Sequence, residues 1–288
     1  MDPAHVALDA SGNAVFAWTE GVNEQSRAYA RRMSADGTLG PVVDIAAPGD
    51  IASQPQVTFV VGGVAIVAWS NVDGRHHRVL ARSWPPAGAL GPAFLISDPD
   101  RASAANPQLA IDARGRHVVF SWTIDTPNTL PARTSSPAGK LGPIIDLDGS
   151  VESEDRHIAV AGTGAVFFTW VGDDYWLENE IFARALSPVG RLSPFAPIGR
   201  DDRTAYVPVA ADAKGNVLLT WRRFEHGRSR IVAKTFPAQG RPSRLVHLSA
   251  AEVDARGPQL AMTAAGHAVV AWIAGNASAQ RVQVVADR

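Results

Sequence analysis

Short apolar runs separated by glycine, proline and aspartate recur along the whole chain. The runs are rich in Val, Ile, Phe and Trp, and Gly and Pro are confined to their ends, which is typical of β-strands bounded by turns. No stretch sustains helical spacing. Between residues 108 and 147, for example, the pattern predicts four short strands, at residues 108–112, 117–123, 130–134 and 144–147. We therefore expect an all-β protein.

A tryptophan returns at intervals of 48 to 53 residues, which divides the chain into six repeats. Each of these tryptophans is preceded by a small residue and, before that, by two apolar residues. A period of ~40 to 50 residues with four strands per unit is the signature of a β-propeller. We expect one domain over residues 1–288, a six-bladed β-propeller with four-stranded antiparallel blades. The expected blades are residues 1–50, 51–101, 102–152, 153–202, 203–252 and 253–288.

The repeated tryptophans are interpreted as the structural core of the blades, because a residue that recurs in every blade is first a packing device. A buried tryptophan removes ~150 to 250 Å² from water. The six residues are Trp18, Trp69, Trp122, Trp170, Trp221 and Trp272.

Two further signatures recur. An Ala-Arg pair, as at Ala30-Arg31, is followed by a Gly-x-Leu-Gly-Pro turn, as at residues 37–41. In the odd repeats an aspartate stands three residues before a turn glycine: Asp9, Asp112 and Asp212. These aspartates either accept backbone N–H bonds in their own turns or form a ring of three carboxylates around an ion. A ring would require the turns to converge, whereas we expect hairpin turns of different blades to lie apart.

The hairpin phrases at residues 6–13 (VALDASGN) and 209–216 (VAADAKGN) look like the first hairpin of NHL-type and TolB-like bacterial propeller repeats. Residues 29–39 are similar to the second hairpin of repeats in large secreted bacterial proteins. The resemblance covers the whole chain through its blade-building residues. It implies a propeller fold, an extracellular or periplasmic location, and ligand binding on the face formed by the variable loops.

Candidate ligand-binding residues lie in these variable loops. The loop after the fourth tryptophan carries four carboxylates and two aromatics, the loop after the fifth is basic, and a nearby connection holds two more aspartates. The two loops either pair at the surface, at about 0 to 1 kcal/mol per ion pair, or form a polar site for a sugar or a cationic group. The residues are Asp173, Asp174, Tyr175, Trp176, Glu178, Glu180, Arg222, Arg223, Asp201 and Asp202.

Composition removes several function classes. The 288 residues hold 27 Lys+Arg against 28 Asp+Glu and no cysteine, which argues against nucleic-acid binding, disulfide scaffolds and thiolate chemistry. The longest mostly apolar stretch, residues 57–69, is shorter than the about 20 residues of a membrane span, so we expect no membrane insertion. Residues 1–5 lack the features of a secretory signal peptide.

Motifs with known chemistry are absent from the sequence. It lacks a calcium loop, a dinucleotide fingerprint and a Gly-x-Ser-x-Gly elbow, and its turns lack the Ser-x-Asp-x-Gly-x-x-Trp pattern of sialidase-type propellers. We expect no catalytic residue, no metal and no cofactor. The expected function is a non-enzymatic scaffold whose variable-loop face binds a protein or carbohydrate partner.

Two alternatives remain open. One is a carbohydrate-active hydrolase or lyase that uses carboxylates of the same face, since glycoside hydrolysis needs two of them; the other is a structural module of a larger bacterial surface or secreted protein. After Trp272 the pattern leaves room for a single further strand, at 281–286. We therefore expect the last blade to lack its fourth strand, so that the chain continues in a longer protein or the edge is open to a partner.

Overall fold

The structure is a computed structural model. It describes residues 4–74, 76–100, 103–111, 115–116, 118–125, 128–135, 140–147, 152–174, 177–187, 191–194, 196–200, 206–239, 241–276 and 278–287. The side chains of residues 73, 125, 128, 152–156, 172–174, 177–179, 196–197 and 200 lie outside the description. The chain divides into two compact units, Met1–Ser150 and Val151–Arg288.

The first unit contains three antiparallel sheets. Sheet 1 is formed by β1 (His5–Leu8), β2 (Ala14–Glu20), β3 (Arg27–Met33) and β4 (Leu39–Asp44). Sheet 2 is formed by β5 (Ile51–Val60), β6 (Val64–Asp73), β7 (His76–Trp84) and β8 (Phe94–Leu95). Sheet 3 is formed by β9 (Ala104–Ile111), β10 (Val118–Asp125), β11 (Asn128–Thr129), β12 (Pro131–Ser135) and β13 (Ile145–Asp146).

The second unit also contains three antiparallel sheets. Sheet 4 is formed by β14 (Glu152–Val160), β15 (Val166–Asp174), β16 (Leu177–Leu186) and β17 (Ala196–Arg200). Sheet 5 is formed by β18 (Val209–Ala211), β19 (Val217–Glu225), β20 (Arg228–Phe236) and β21 (Val246–His247). Sheet 6 is formed by β22 (Ala255–Met262), β23 (Ala268–Asn276) and β24 (Ala279–Ala286).

The prediction of six antiparallel sheets, the last with three strands, is confirmed. Sheet 3 differs slightly, because the two-residue strand β11 pairs with the end of β10 beside the four predicted strands. A short 3-10 turn at Asn23–Gln25 is the helical element of the described residues.

The turn between the first two strands is built by an aspartate and an asparagine. In sheet 1 the Oδ1 atom of Asp9 accepts the backbone N–H groups of Ser11 and Asn13, each at 2.9 Å. The Asn13 side chain donates to Asp9 and accepts the N–H of Ala35 at 3.1 Å, which ties this turn to the next hairpin. Gly12 completes the turn with a φ of 87°, a conformation that costs glycine little.

Asp212 repeats this arrangement in sheet 5, where it accepts the N–H groups of Lys214 and Asn216, each at 2.8 Å. The two described aspartates thus serve their own turns, and Asp112 lies outside the described residues. The expectation that turns of different sheets lie apart is wrong for neighbours. The Val61 N–H donates to the Gly115 carbonyl at 2.6 Å, because short turns without bulky side chains allow this approach.

The Ala-Arg signature anchors the fourth strand. The Arg31 guanidinium donates through Nε to the Gly40 carbonyl at 2.7 Å, and Arg133 donates to the Gly142 carbonyl at 3.0 Å. Arg184 does the same to Ser193 at 2.9 Å. Each arginine therefore reaches the residue before the strand-four proline and holds the two strands together.

The repeated tryptophan of one sheet packs on the preceding sheet of its unit. Trp69 of sheet 2 is fully buried with Val15 and Ala17 of sheet 1. Trp272 of sheet 6 packs with Ile231 of sheet 5. Trp122, Trp170 and Trp221 are also buried. Trp18 is partly exposed, and its indole N–H donates to Glu20 at 2.7 Å.

Candidate functional site

A cleft of about 470 Å³ lies between sheets 5 and 6. It is formed by residues that directly follow Trp221 and Trp272 and by the connection that enters sheet 6. These are the variable segments that the sequence places on one face. The lining residues are Arg222, Phe224, Gly227, Ser229, Asp254, Ala255, Arg256, Gly275 and Asn276.

The wall from sheet 5 follows from strand alternation. Successive side chains of a strand point to opposite faces, so Arg222 and Phe224 both point away from the face that carries Trp221. Phe224 lies opposite Ser229 in the pairing of β19 with β20. The Arg222 guanidinium, the Phe224 ring and the Ser229 hydroxyl therefore lie on the side of sheet 5 that meets sheet 6.

The wall from sheet 6 is held in place by Asp254. Its Oδ1 atom accepts the Ser229 N–H at 2.9 Å, and its carbonyl accepts the Gly275 N–H at 2.8 Å. Its Oδ2 atom lies 3.9 Å from the Arg228 guanidinium. These contacts fix the loop before β22, so that the exposed Arg256 and the Asn276 amide stand at the rim of the cleft.

A bulge in the first strand of sheet 6 directly follows the cleft residues Ala255 and Arg256. The register of β22 shifts between Arg256 and Gln259, where Gly257 has a φ of 60° and precedes Pro258. A Cβ atom at Gly257 would meet no other atom within 4 Å. The bulge therefore carries no side chain at the position next to the cleft residue Arg256.

The same bulge in the first unit carries a side chain. Gln54 and Asn106 have φ values of 53° and 52° and also precede prolines. The Gln54 N–H donates to Thr19 at 3.1 Å, and the Gln54 amide oxygen accepts from Ser70 at 2.9 Å. The Asn106 N–H donates to Ser70 at 3.0 Å. Polar side chains thus close the junctions of sheets 1, 2 and 3 at the corresponding place.

The neighbouring Arg223 points to the opposite face of β19. Its Nε atom lies 2.8 Å from Glu225, whose other oxygen lies 2.7 Å from His247 Nε2. Burial by itself raises the pKa of Glu225, but the hydrogen bond with His247 and the charge of Arg223 outweigh it and hold that pKa below its usual range. Arg223 is therefore compensated within its own sheet.

The lining residues determine which ligands the cleft could accept. Two guanidiniums favour an anion, the Phe224 ring offers an apolar plane, and Asn276 and Ser229 supply hydrogen-bonding groups. Among the described lining residues Asp254 is the single carboxylate. In the described part of the chain no group of three or more His, Cys, Asp or Glu side chains is arranged to hold a metal ion.

The structure places some of the predicted site residues and not others. Arg222 lines the cleft, Arg223 does not, and Glu180 lies in β16 opposite Arg200. Tyr175, Trp176, Asp201 and Asp202 lie outside the described residues. The side chains of Asp173, Asp174 and Glu178 do as well, so the pairing of the acidic and basic loops stays a prediction.

Of the residues that line the cleft, the sequence analysis named Arg222 and missed the others. A signal for the bulge exists in the repeat of Gln54-Pro-Gln, Asn106-Pro-Gln and Gly257-Pro-Gln. The third copy has glycine in place of the amide side chain, and this copy directly follows the cleft residue Arg256. Asn276 has no such signal, because it is identified only by the position of its strand against sheet 5.

No protein-family model matches the chain, and no curated protein matches it. Among solved structures, it is similar to a protein of unknown function from Dyadobacter fermentans, with a TM-score of 0.59 and 12% identity over 98% of this chain and 93% of that one. It is similar to the Dos1 propeller, with a TM-score of 0.60 and 10% identity over 96% of this chain and 66% of that one.

The chain is also similar to the leech intramolecular trans-sialidase complexed with 2,7-anhydro-Neu5Ac, with a TM-score of 0.62 and 7% identity over 99% of this chain and 68% of that one. Likenesses at such identities concern the fold alone. Together with the six sheets, they make the fold a six-bladed β-propeller. None of the described residues forms a helix that is long and apolar enough to cross a bilayer.

Proposed function

We propose that the protein is a non-enzymatic binding module whose variable-loop face binds an acidic carbohydrate in the cleft between sheets 5 and 6. The observation that carries the proposal is the joint lining of this cleft by Arg222, Arg256 and Phe224. A carboxylate on a sugar ring would meet the guanidiniums, which bind planar oxyanions well. The apolar face of the ring would lie against Phe224.

The volume supports a small ligand. Small-molecule sites commonly measure about 300 to 1,000 Å³, and the cleft, at about 470 Å³, falls within that range. The leech trans-sialidase is complexed with 2,7-anhydro-Neu5Ac, which makes a sugar a reasonable first ligand to try. An acidic peptide would meet the same guanidiniums and is the competing outcome.

A binding role fits the lining better than hydrolysis. Glycoside hydrolysis requires two carboxyl groups about 5 to 9.5 Å apart, and the described lining offers Asp254 alone, already engaged with Ser229. We therefore place the hydrolase alternative second.

Calorimetric titration with digalacturonate, and with the neutral galactose disaccharide as matched ligand, tests the proposal. We expect the acidic sugar to bind and the neutral one to bind at least about tenfold more weakly, with affinity falling as salt rises. Arg256→Glu should abolish most of the binding, because it reverses a charge at the rim.

Arg244→Glu is the matched control, since Arg244 is an exposed arginine of the same unit near the turn before β21. Equal binding of neutral and acidic sugars, or equal loss in both variants, would contradict the proposal. Release of monosaccharide during the titration would show an enzyme instead. Binding of an acidic peptide in preference to the sugar would assign the cleft to a protein partner.

We further propose that the repeats are related to the NHL-like and TolB-like repeats of bacterial proteins. The support is the aspartate-to-asparagine hairpin phrase around Asp9 and Asp212, whose hydrogen bonds are the same in both sheets. Insertion of a known NHL hairpin at residues 6–13 that leaves the fold intact would support the relation. Failure of such a chimera to fold would count against it.

A further inference from the structure

The outer edge of β24 has no partner strand among the described residues. In four other sheets the corresponding strand accepts a backbone N–H bond from an isoleucine or leucine at the end of the fourth-strand segment. The bonds run from Ile45 to Ala28 at 3.0 Å, from Ile96 to Val79 at 2.8 Å, from Leu147 to Leu130 at 2.9 Å and from Leu248 to Ile231 at 2.8 Å. The edge of sheet 6 therefore has a defined acceptor position.

Strand register identifies that position as Val282. Val282 pairs with Ile273, which directly follows Trp272, just as Ala28 pairs with Thr19 after Trp18. The outward N–H and C=O groups of the strand at this place belong to Val282. Its side chain is 71% exposed, whereas Ala28, Val79, Leu130 and Ile231 are at most 1% exposed.

The five fourth-strand segments show what would fit. They share two apolar residues, one variable residue and then Ile or Leu, as in Gly91-Pro-Ala-Phe-Leu-Ile-Ser97. In sheets 2 and 5 the next residue is a serine that accepts the N–H of the neighbouring strand. Ser97 Oγ accepts from Val79 at 3.1 Å, and Ser249 Oγ accepts from Ile231 at 2.9 Å.

An Ile-Ser or Leu-Ser pair thus satisfies both backbone groups of the facing residue. An unpaired strand edge is a ready template for strand addition. We propose that β24 binds an extended segment of a partner polypeptide that carries the pattern apolar-apolar-x-Ile/Leu-Ser, with its Ile or Leu beside Val282. A second copy of this chain fits less well, because β24 itself contains no such pair.

A labelled peptide of residues 90–98 (LGPAFLISD) added to the full chain tests this, with fluorescence anisotropy as the readout. We expect saturable binding. The same peptide with Ile96→Asp should bind at least about tenfold more weakly, because a charge would replace the buried cross-strand side chain. Since only the peptide is changed in this comparison, a weaker signal cannot result from misfolding of a protein variant.

On the protein, Val282→Pro removes an outward N–H at an edge position where proline is tolerated, and it should weaken binding at least about tenfold. Val42→Pro, at an exposed valine in the fourth strand of sheet 1 whose N–H also points away from the neighbouring strand, is the matched control. Circular dichroism of both variants checks that the fold is kept.

The proposal is overturned by three results. The first is that the peptide does not bind at concentrations up to about 1 mM, which corresponds to a weak affinity. The second is that the Ile96→Asp peptide binds as well as the unchanged peptide. The third is that the Val282→Pro protein binds the peptide with wild-type affinity. Self-association that Val282→Lys abolishes would assign the edge to a second copy and would overturn it too. The cleft variant Arg256→Glu should leave peptide binding unchanged, so this site and the carbohydrate site can fail separately.

Discussion

The junction of sheets 1 and 2 and the junction of sheets 5 and 6 are alike in their core and at their turn end, and they differ at their loop end. Both bury a repeated tryptophan, Trp69 or Trp272, against the preceding sheet. At the turn end, a Cβ atom on Gly63 would lie 3.4 Å from Asp9, and one on Gly266 would lie 3.1 Å from Asp212. At the loop end the first junction is closed by Gln54, whereas the other opens into the cleft.

The two junctions differ at the bulge position of the first strand, which is Gln54 in the first and Gly257 in the second. Where this position carries Gln54, its backbone and side chain join Thr19 to Ser70. Where it is Gly257, the position carries no side chain, and the residue before it, Arg256, lines the cleft. The scaffold is thus common to both junctions, and the cleft is a local departure from it.

The largest expected effect on stability comes from the buried tryptophan that the two junctions share. Trp69→Ala should lower the free energy of unfolding by about 3 to 5 kcal/mol, because the side chain is fully buried. Trp272→Ala should cost less, since the outer face of sheet 6 exposes Ile273 and Val282 and can relax around the change. Urea unfolding of both variants measures this; a larger loss for Trp272→Ala would contradict the stated difference.

The next largest effect on stability comes from substitutions of Gln54 in the junction of sheets 1 and 2. Gln54→Ala should cost about 1 to 3 kcal/mol, because it removes the acceptor of Ser70 and places alanine at a positive φ. Gln54→Gly loses the same hydrogen bond without the backbone penalty, so it should be the milder change. Thermal unfolding compares them, and equal destabilisation would show that backbone strain plays no part.

Filling the open junction gives a smaller change in stability and a clear change in binding. Gly257→Asn should keep the fold, because asparagine tolerates positive φ and a Cβ atom there meets nothing. Its side chain would add bulk next to the cleft residue Arg256, where the equivalent Asn106 of sheet 3 reaches Thr123 of its own sheet. We expect digalacturonate affinity to fall about tenfold, a loss of about 1.4 kcal/mol; unchanged affinity would place the ligand elsewhere.

The smallest expected effect is on the stability of the fold at acid pH, through Asp212. Burial raises the pKa of Asp212, but its bonds from Asn216, Lys214 and Gly215 outweigh this and hold the pKa below 3.8. The stability it contributes is therefore present above 3.8 and is lost as the pH falls through the lower folded-state value. Asp212→Asn should remove part of the acid dependence of unfolding, measured by thermal melts below about pH 4. An unchanged acid profile would contradict it.

Most of the fold could be predicted from the sequence, because the determinants repeat. The tryptophan interval indicated six sheets, and the single strand left after Trp272 indicated that the sixth has three. The cleft could be predicted only in part. Arg222 stood out by charge, but the effect of Gly257 depends on which face of one sheet meets the next, and that is not visible in a single strand pattern.

The arginine bond between the third strand and the turn before the fourth has a kinetic consequence. Arg31 and Gly40, or Arg133 and Gly142, are separated by nine residues, so the bond closes a short loop and needs no other sheet. Contacts of short sequence separation favour fast folding. Each sheet with such a bond can gain its outer strand during synthesis, soon after that strand emerges, and sheet-to-sheet packing around the tryptophans then follows as a later, slower stage.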